Sequence, residues 1–123
     1  MKILKRIGII DIGSNSIRLV VFDGPKRSPL YLYNEKVFFR LGLQSFGKKA
    51  FDNATLKAVS RIINRYVAIC RNMEINKIIM FGTSALREAS NSNVLVELIR
   101  KNTNSKFLYL KLNTNASMLN EEK

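Results

Sequence analysis

Several residue types that often carry chemistry are absent or rare in this chain of 123 residues. It has no histidine, which excludes a Ser-His-Asp triad and a histidine metal site. Its single cysteine, Cys70, can form neither an internal disulfide nor a cysteine-cluster zinc site, and indicates a reducing compartment. Nine residues are acidic, and only Asp11 and Asp23 lie in the first predicted hairpin. A two-metal nuclease needs several clustered carboxylates, so that class is disfavoured.

Long apolar runs are missing as well. No stretch of the sequence is long enough to span a bilayer. The basic start, residues 1–6, resembles the first region of a signal peptide, but Asp11 interrupts the apolar run behind it and no small-residue cleavage site follows. We therefore expect a cytoplasmic protein that has no membrane partner.

Positive charge is in large excess. The chain has 21 Lys and Arg residues against nine acidic ones, a formal net charge of +12 and a pI of ≈ 10.2. Such a balance predicts attraction to polyanions such as nucleic acid, an acidic membrane or polyphosphate. A composition bias, with most lysines on solvated faces, explains the charge equally well. The hydrophobic content of 46% is typical of a globular protein, and the length allows one small domain with a core.

The most informative stretch is residues 7–23, where an apolar run ends at Asp11, turns, and leaves as a second apolar run. Both runs are rich in β-branched residues without polar alternation, which predicts neighbouring strands buried on both faces. The turn is built from a glycine and short polar residues: Gly13, Ser14, Asn15 and Ser16. Such a turn can direct donors at a phosphate, and Asp11 can hold a cation or an activated water. An ordinary hairpin turn remains an equally good interpretation.

The rest of the sequence predicts one α/β unit in the order β-β-β-α-β-α-β. Asp52 or Asn53 is the expected N-cap of the clearest amphipathic helix. The predicted elements after the hairpin are a strand at 30–41, a helix at 55–73, a strand at 77–82, a helix that opens within 83–89, another helix at about 94–101 and a strand at 106–112. We expect residues 1–112 to form the lobe, and residues 113–123 to be a polar, frayed tail.

A second motif covers residues 81–91, where a predicted strand ends in Thr83-Ser84 and a helix begins. Helix starts present unpaired N–H groups and a positive dipole end. Arg87, about one turn into the helix, can add a forked guanidinium for bidentate phosphate contact. By itself the motif favours a capped surface helix whose Arg87 and Glu88 are solvated, and only the agreement with the first motif reverses that preference.

Together these motifs resemble those of the exopolyphosphatase/guanosine pentaphosphate phosphatase (Ppx/GppA) family, a branch of the actin–Hsp70–sugar-kinase superfold. Residues 11–16 resemble the family's first phosphate-binding motif. Residues 81–91 resemble its Ala-Thr-Ser-Ala-Leu-Arg-Glu-Ala-x-Asn block, with Gly82 in place of the usual alanine. The resemblance covers residues 7–102. It implies a ribonuclease-H-like single lobe with a mixed sheet.

The resemblance also implies chemistry. Family members hydrolyse the terminal phosphate of polyphosphate or the 5′-phosphate of guanosine pentaphosphate, with Mg²⁺ and a water activated by a glutamate. Asp11 would then hold the metal or its water shell. The implied phosphate contacts are Gly13, Ser14, Asn15, Ser16, Thr83, Ser84 and Arg87.

The sequence departs from the family pattern after its last predicted strand. The family carries a Ser-Gly-x-Glu-Glu-Ala block with the proposed general base, whereas residues 113–117 here read Asn-Thr-Asn-Ala-Ser. Glu121 and Glu122 come several residues late, so the catalytic residue is left unassigned. The family's second phosphate loop, an Asp-x-Gly-Gly-Gly-Ser run, has no counterpart in the chain.

We therefore expect a truncated phosphohydrolase whose phosphate-binding half is retained and whose catalysis is absent or very weak. Its partner would be a separately encoded second lobe or a second copy of itself. The alternative is a small basic module that binds polyphosphate, nucleotide or RNA without turnover.

Overall fold

A computed structural model describes residues 6–23, 30–41, 50–75, 77–82, 84–103 and 108–112. These residues contain five strands and three helices, and both helices predicted between the last two strands are present. The elements are β1 (Arg6–Ile12), β2 (Ser16–Asp23), β3 (Leu30–Phe38), α1 (Asn53–Asn72), β4 (Lys77–Gly82), α2 (Ser84–Glu88), α3 (Ser92–Thr103) and β5 (Leu108–Leu112). The predicted tail, residues 113–123, lies outside the described residues.

The strands form one mixed sheet in the order β3-β2-β1-β4-β5. β1, β2 and β3 are antiparallel neighbours, as short connections between them predict. β4 pairs in parallel with β1 and with β5, and the helices supply the crossovers that parallel pairs need. The carboxyl ends of β1, β4 and β5 therefore meet at one edge of the sheet, where the turn between β1 and β2 also lies.

Helix α1 begins and ends with identifiable caps. The Asp52 side chain accepts a hydrogen bond from the main-chain N–H of Thr55 at 2.8 Å, which confirms one of the two expected N-caps. At the other end Glu74 adopts a positive φ of 58°, and the N–H of Ile75 bonds back to the carbonyl of Cys70 at 3.0 Å. A left-handed residue at this position satisfies the last carbonyls and ends the helix.

The core lies between one face of the sheet and the helices. Alternate side chains of β2 are fully buried, and α1 and α3 pack against each other on that side. The core side chains of the sheet and of α1 are Ile10, Ile12, Ile17, Leu19, Val21, Ile78, Met80, Leu56, Val59, Ile63, Tyr66, Val67 and Cys70. Among the described residues, no helix of sufficient length and apolarity to cross a membrane is found.

The opposite face of the sheet is more open than the sequence predicts. The first two strands were expected to be buried on both faces, but Ile9, Val20 and Phe22 are only partly buried, and Asp11 is exposed. In the described part of the chain both long helices cover a single face. The sequence does not reveal this difference, because the open face is also built from β-branched and aromatic residues.

Two glycines allow close packing between the layers. A Cβ atom on Gly8 would lie 2.8 Å from the Sγ atom of Cys70 on α1, and a Cβ atom on Gly82 would collide with the side chain of Leu86. The glycine at position 82, a departure from the family motif, thus leaves room for α2 to fold back directly after β4. The third strand also ends earlier than predicted, at Phe38: the N–H of Phe39 still bonds to the carbonyl of Asn15, and the N–H of Leu41 then turns back to the carbonyl of Phe39.

Candidate phosphate-binding site

The turn between β1 and β2 is closed by its own backbone. The N–H of Gly13 donates to the carbonyl of Ser16 at 2.9 Å, and the N–H of Phe39 donates to the carbonyl of Asn15 at 2.9 Å. A Cβ atom on Gly13 would lie 3.1 Å from the Ser16 carbonyl oxygen, so a larger residue would disturb this closure. The turn is therefore held from inside and from β3.

This arrangement divides the roles of the turn residues. The N–H of Gly13 is used within the turn, so its contribution is conformational. Donors for an anion would come from the main-chain and side-chain groups of Ser14, Asn15 and Ser16. Asn15 is exposed, and the two serines are half-buried, so the turn faces solvent with short polar groups. Short polar groups of this kind can donate hydrogen bonds to a phosphate.

Asp11 lies two residues before this turn, on the open face of the sheet. It is opposite Arg18 of β2 and Phe81 of β4 in the strand register. Its carboxylate and the Arg18 guanidinium border a groove of about 330 Å³ whose floor is apolar. The lining residues are Ile9, Asp11, Arg18, Val20, Phe22, Tyr31 and Asn34.

The donor set near Asp11 fits one mode of magnesium binding. No cluster of three or more His, Cys, Asp or Glu side chains occurs among the described residues, so they form no protein-only metal cage. Mg²⁺ commonly keeps several waters and uses one or two carboxylates together with substrate phosphates. An exposed Asp11 two residues before a turn of short polar groups is compatible with that mode.

The second motif lies next to the turn. Ile12 at the end of β1 is opposite Gly82 at the end of β4, so the Gly13 turn and the start of α2 share one edge. Arg87 lies in the last turn of α2 and is exposed. Ser84 is the first residue of α2, whereas Thr83 lies outside the described residues. The two motifs, 70 residues apart in sequence, are thus adjacent at the level of the backbone.

Asn91, the last residue of the second motif, has a role that the sequence does not reveal. Its side-chain amide donates to the carbonyl of Phe51 at 2.9 Å and accepts from the N–H of Phe51 at 2.9 Å. This pair of bonds attaches the entry into α1 to the segment between α2 and α3. The N-terminus of α1 is therefore fixed at the same edge of the sheet as both motifs. An asparagine before a predicted helix start was the only signal available.

Tyr66 is a second residue that the pattern did not single out. Its hydroxyl donates to the carbonyl of Ile17 at 2.8 Å, and the carbonyl of Glu35 lies 3.4 Å away. The ring is fully buried, and burial raises the pKa of Tyr66 to about 12. A tyrosine in an otherwise aliphatic helical stripe was the signal in the sequence, since a buried hydroxyl needs a partner.

Glu35 on β3 belongs to a separate polar cluster. It accepts a hydrogen bond from the hydroxyl of Tyr33 and pairs with Arg65 of α1. The Tyr33 hydrogen bond, followed by the one from Arg65, lowers the pKa of Glu35, and the same bond to Glu35 raises the pKa of Tyr33. Glu35 is therefore held as a paired carboxylate on β3, opposite Leu19 in the strand register.

The sequence is similar to known phosphatases over most of its length. Residues 20–116 match the model of the Ppx/GppA phosphatase family. Exopolyphosphatase 1 of Mycobacterium leprae (strain TN) is 33% identical over 101 residues, which are 80% of this chain and 29% of that protein. The chain thus spans less than a third of the length of the curated relatives it matches.

Solved structures agree with this similarity. The crystal structure of an exopolyphosphatase from Cytophaga hutchinsonii superimposes with a TM-score of 0.79 at 29% identity, and covers 88% of this chain and 34% of that chain. A ParM filament from Clostridium botulinum, at a TM-score of 0.54 and 17% identity, covers 90% of this chain and 42% of that chain. The second likeness concerns the fold alone and confirms the predicted actin-like architecture. With its two motifs adjacent at one sheet edge, the chain belongs to the Ppx/GppA phosphatase family.

Proposed function

We propose that this chain is the phosphate-binding part of an exopolyphosphatase-type phosphohydrolase. The substrate would be the terminal phosphate of inorganic polyphosphate or the 5′-phosphate of guanosine pentaphosphate. The observation that carries the proposal is the meeting of the Gly13 turn and the start of α2 at one edge of the sheet. The M. leprae and C. hutchinsonii relatives, both exopolyphosphatases, support the choice of polyphosphate.

In this proposal the turn residues Ser14, Asn15 and Ser16 donate to one phosphate. Arg87 contributes a planar fork, which suits bidentate contact with a neighbouring phosphate, and Thr83 and Ser84 add contacts at the start of α2. Phosphoryl transfer depends mainly on positioning and on neutralising charge, so a rigid turn is the relevant property. The two hydrogen bonds that close the turn provide that rigidity.

Asp11 would hold Mg²⁺ through its carboxylate or through the water shell of the ion. When bound, the ion would neutralise phosphate charge and orient a water molecule. Arg18, opposite Asp11 in the register, adds a positive charge at the same groove. The reduced and buried thiol of Cys70 suits a cytoplasmic location, which we include in the proposal.

We further propose that these 123 residues by themselves bind substrate with little or no turnover. Glu35 is engaged by Tyr33 and Arg65, and Asp23 is paired with Arg6, so neither carboxylate is placed as a general base. Glu121 and Glu122 lie outside the described residues and receive no role. Turnover would then depend on a second lobe. A polyphosphate-, nucleotide- or RNA-binding module without any catalytic role is the second candidate, favoured by the +12 charge.

Binding of pyrophosphate, measured by calorimetry with and without Mg²⁺, tests the site. Ser14→Ala or Arg87→Gln should weaken binding by about 1.5–3 kcal/mol, because each removes a charge-assisted hydrogen bond. Arg87→Lys should give an intermediate loss, since it keeps the charge without the fork. Lys101→Gln is the control for a general charge effect, because Lys101 is exposed near the end of α3. Equal losses in Arg87→Gln and Lys101→Gln would refute the site.

Phosphate release from polyphosphate in the presence of Mg²⁺ tests turnover. We expect rates near background, because a positioned base contributes ~10²–10⁴-fold and each oxyanion donor ~10²–10³-fold. The comparison includes Asp11→Asn and the double variant Glu121→Gln/Glu122→Gln. Substantial turnover that disappears in the glutamate variant would show that the C-terminal residues supply the base.

A further inference from the structure

The outer face of α1 carries basic residues and no acidic ones. Its eight exposed positions are Asn53, Ala54, Lys57, Arg61, Arg65, Ala68, Arg71 and Asn72. At 100° per residue, the four basic positions fall within about a third of the helix circumference, and Lys57 to Arg71 span about 21 Å along the axis. The twenty residues of α1 contain neither aspartate nor glutamate. We call this face the basic stripe.

The spacing within the basic stripe opposes helix stability. Lys57 and Arg61 are four residues apart, as are Arg61 and Arg65, and like charges at this spacing destabilise a helix. A solvated surface helix usually relieves such repulsion by mixing both signs of charge. Here Glu35 of β3 pairs with Arg65, and on the neighbouring α3 Glu97 lies 3.9 Å from Arg100. Lys57 and Arg61 lie one turn apart on α1, and an anionic ligand would relieve the repulsion between them.

The basic stripe begins near the edge of the sheet that holds the candidate site. The two hydrogen bonds between Asn91 and Phe51 hold the start of α1 at the edge of the sheet where the phosphate turn lies. At the other end of α1, the Arg6 guanidinium donates to the carbonyl of Met73 at 2.8 Å, beside the start of β1. The helix therefore runs away from the phosphate turn, with Lys57 about one turn inside its near end.

We propose that the basic stripe binds the distal part of a polyphosphate chain whose terminal phosphates occupy the turn. This inference rests on the proposed polyphosphate substrate and adds a second, independent contact surface. Polyphosphate fits better than RNA because none of the eight exposed positions on α1 is aromatic. Proteins that bind single-stranded nucleic acid usually add aromatic side chains on which bases stack, whereas a ligand without bases needs charge alone.

The test compares two double variants that remove the same charge. Lys57→Gln/Arg61→Gln changes the basic stripe, and Arg100→Gln/Lys101→Gln changes exposed residues in the last turn of α3. Glutamine is a good helix former, so both variants should fold, which circular dichroism verifies. The probes are long-chain inorganic polyphosphate and pyrophosphate, and the dissociation constant is measured at several salt concentrations.

We expect the α1 variant to bind long polyphosphate about tenfold more weakly. The slope of log K against log salt concentration should be smaller in magnitude by about 1.4, because two contacts to a single-stranded polyanion are lost. The α3 variant should lose about twofold, and neither variant should change pyrophosphate binding. Equal losses in the two variants, or no loss in either, would overturn the proposal. Tighter binding of single-stranded RNA than of polyphosphate of equal charge would overturn the choice of ligand.

The same measurements separate this proposal from the phosphate site. If the α1 variant weakens binding of long polyphosphate while Ser14→Ala and Arg87→Gln leave pyrophosphate binding unchanged, the proposed phosphate site is wrong and the basic stripe is supported. If Ser14→Ala and Arg87→Gln weaken pyrophosphate binding while the α1 and α3 variants lose the same affinity for long polyphosphate, the phosphate site is supported and the proposal for the basic stripe is wrong.

Discussion

The hydroxyl of Tyr66 donates a hydrogen bond to the main-chain carbonyl of Ile17 across 2.8 Å. Tyr66 lies on α1 and is fully buried, while Ile17 is the second residue of β2, directly after the phosphate turn. The bond joins two residues 49 positions apart and connects the helix layer to the strand that leaves the turn. A change in the core can therefore reach the candidate site through this contact.

Tyr66→Phe tests this connection. We expect it to lower the free energy of unfolding by about 1–3 kcal/mol, because a buried carbonyl loses a partner without gaining water. It should also weaken pyrophosphate binding, since the strand after the turn is less firmly held. Urea unfolding and calorimetry measure the two effects. Tyr33→Phe is the matched control, because the Tyr33 hydroxyl bonds to the Glu35 side chain and not to the strand that leaves the turn, so pyrophosphate affinity should be unchanged.

Gly8→Ala should destabilise the protein by about 1–3 kcal/mol, because the new methyl group would lie 2.8 Å from the Sγ atom of Cys70 and overpack the layer interface. Cys70→Ala in the same chain removes the obstructing sulfur. We therefore expect the double variant to lose less free energy of unfolding than the two single variants lose together. Urea unfolding of the wild type, the two single variants and the double variant measures this difference. Simple additivity would mean that Gly8 and Cys70 do not limit the approach of α1 to the sheet.

Stability should decrease between about pH 9 and pH 11. The thiol of Cys70 has an ordinary pKa of 9.0, and burial raises the pKa of Cys70 in the folded protein to about 11. Between these values the unfolded chain loses the proton and the folded chain keeps it, so the free energy of unfolding falls as pH rises, by up to about 3 kcal/mol. Below pH 9 the group contributes no pH dependence.

Thermal melting at a series of pH values measures this effect. Cys70→Ala should reduce the loss of thermal stability that begins near pH 9. Tyr66, whose pKa burial raises from 10.0 to about 12, should still cause a decrease at higher pH. An unchanged profile in Cys70→Ala would show that the thiol does not titrate as a buried group.

The open face of the sheet should bind hydrophobic dyes or cause self-association. Tyr31 and Phe38 are 71% and 79% exposed, and the Tyr31 ring meets that of Phe22 edge-on at 6.0 Å between centroids. Exposed apolar patches above a few hundred Å² are usually covered by a partner. Fluorescence with a hydrophobic dye and light scattering measure the two outcomes.

Phe38→Ser should reduce the dye signal. Val94→Ser is the matched control, because Val94 is 48% exposed but lies on α3, on the other side of the sheet. A monomer with a cooperative melt and no dye binding would contradict the prediction, and would also weaken the case for a second lobe.

Local patterns in the sequence were sufficient for much of the fold. The helical stripe from Leu56 to Cys70 and the strand at 77–82 are short-range features, and both are confirmed. The N-cap was predicted at Asp52 or Asn53, and the structure selects Asp52. The two motifs were recognisable for the same reason, since each is a contiguous stretch joining a strand to a turn or helix. They were enough to predict an actin-like lobe of the Ppx/GppA family. The role of each motif residue in phosphate binding stays a prediction.

Only the tertiary structure decided which face of the sheet is open and what holds the turn in place. The open face contains Ile9, Val20 and Phe22, whose apolar character is the same as that of the covered face. The bonds from Tyr66 to Ile17 and from Asn91 to Phe51 join residues 49 and 40 positions apart. The periodicity of apolar residues reports only which side of a single helix or strand is buried. These two hydrogen bonds depend on how distant segments pack together, so no local sequence pattern predicts either of them.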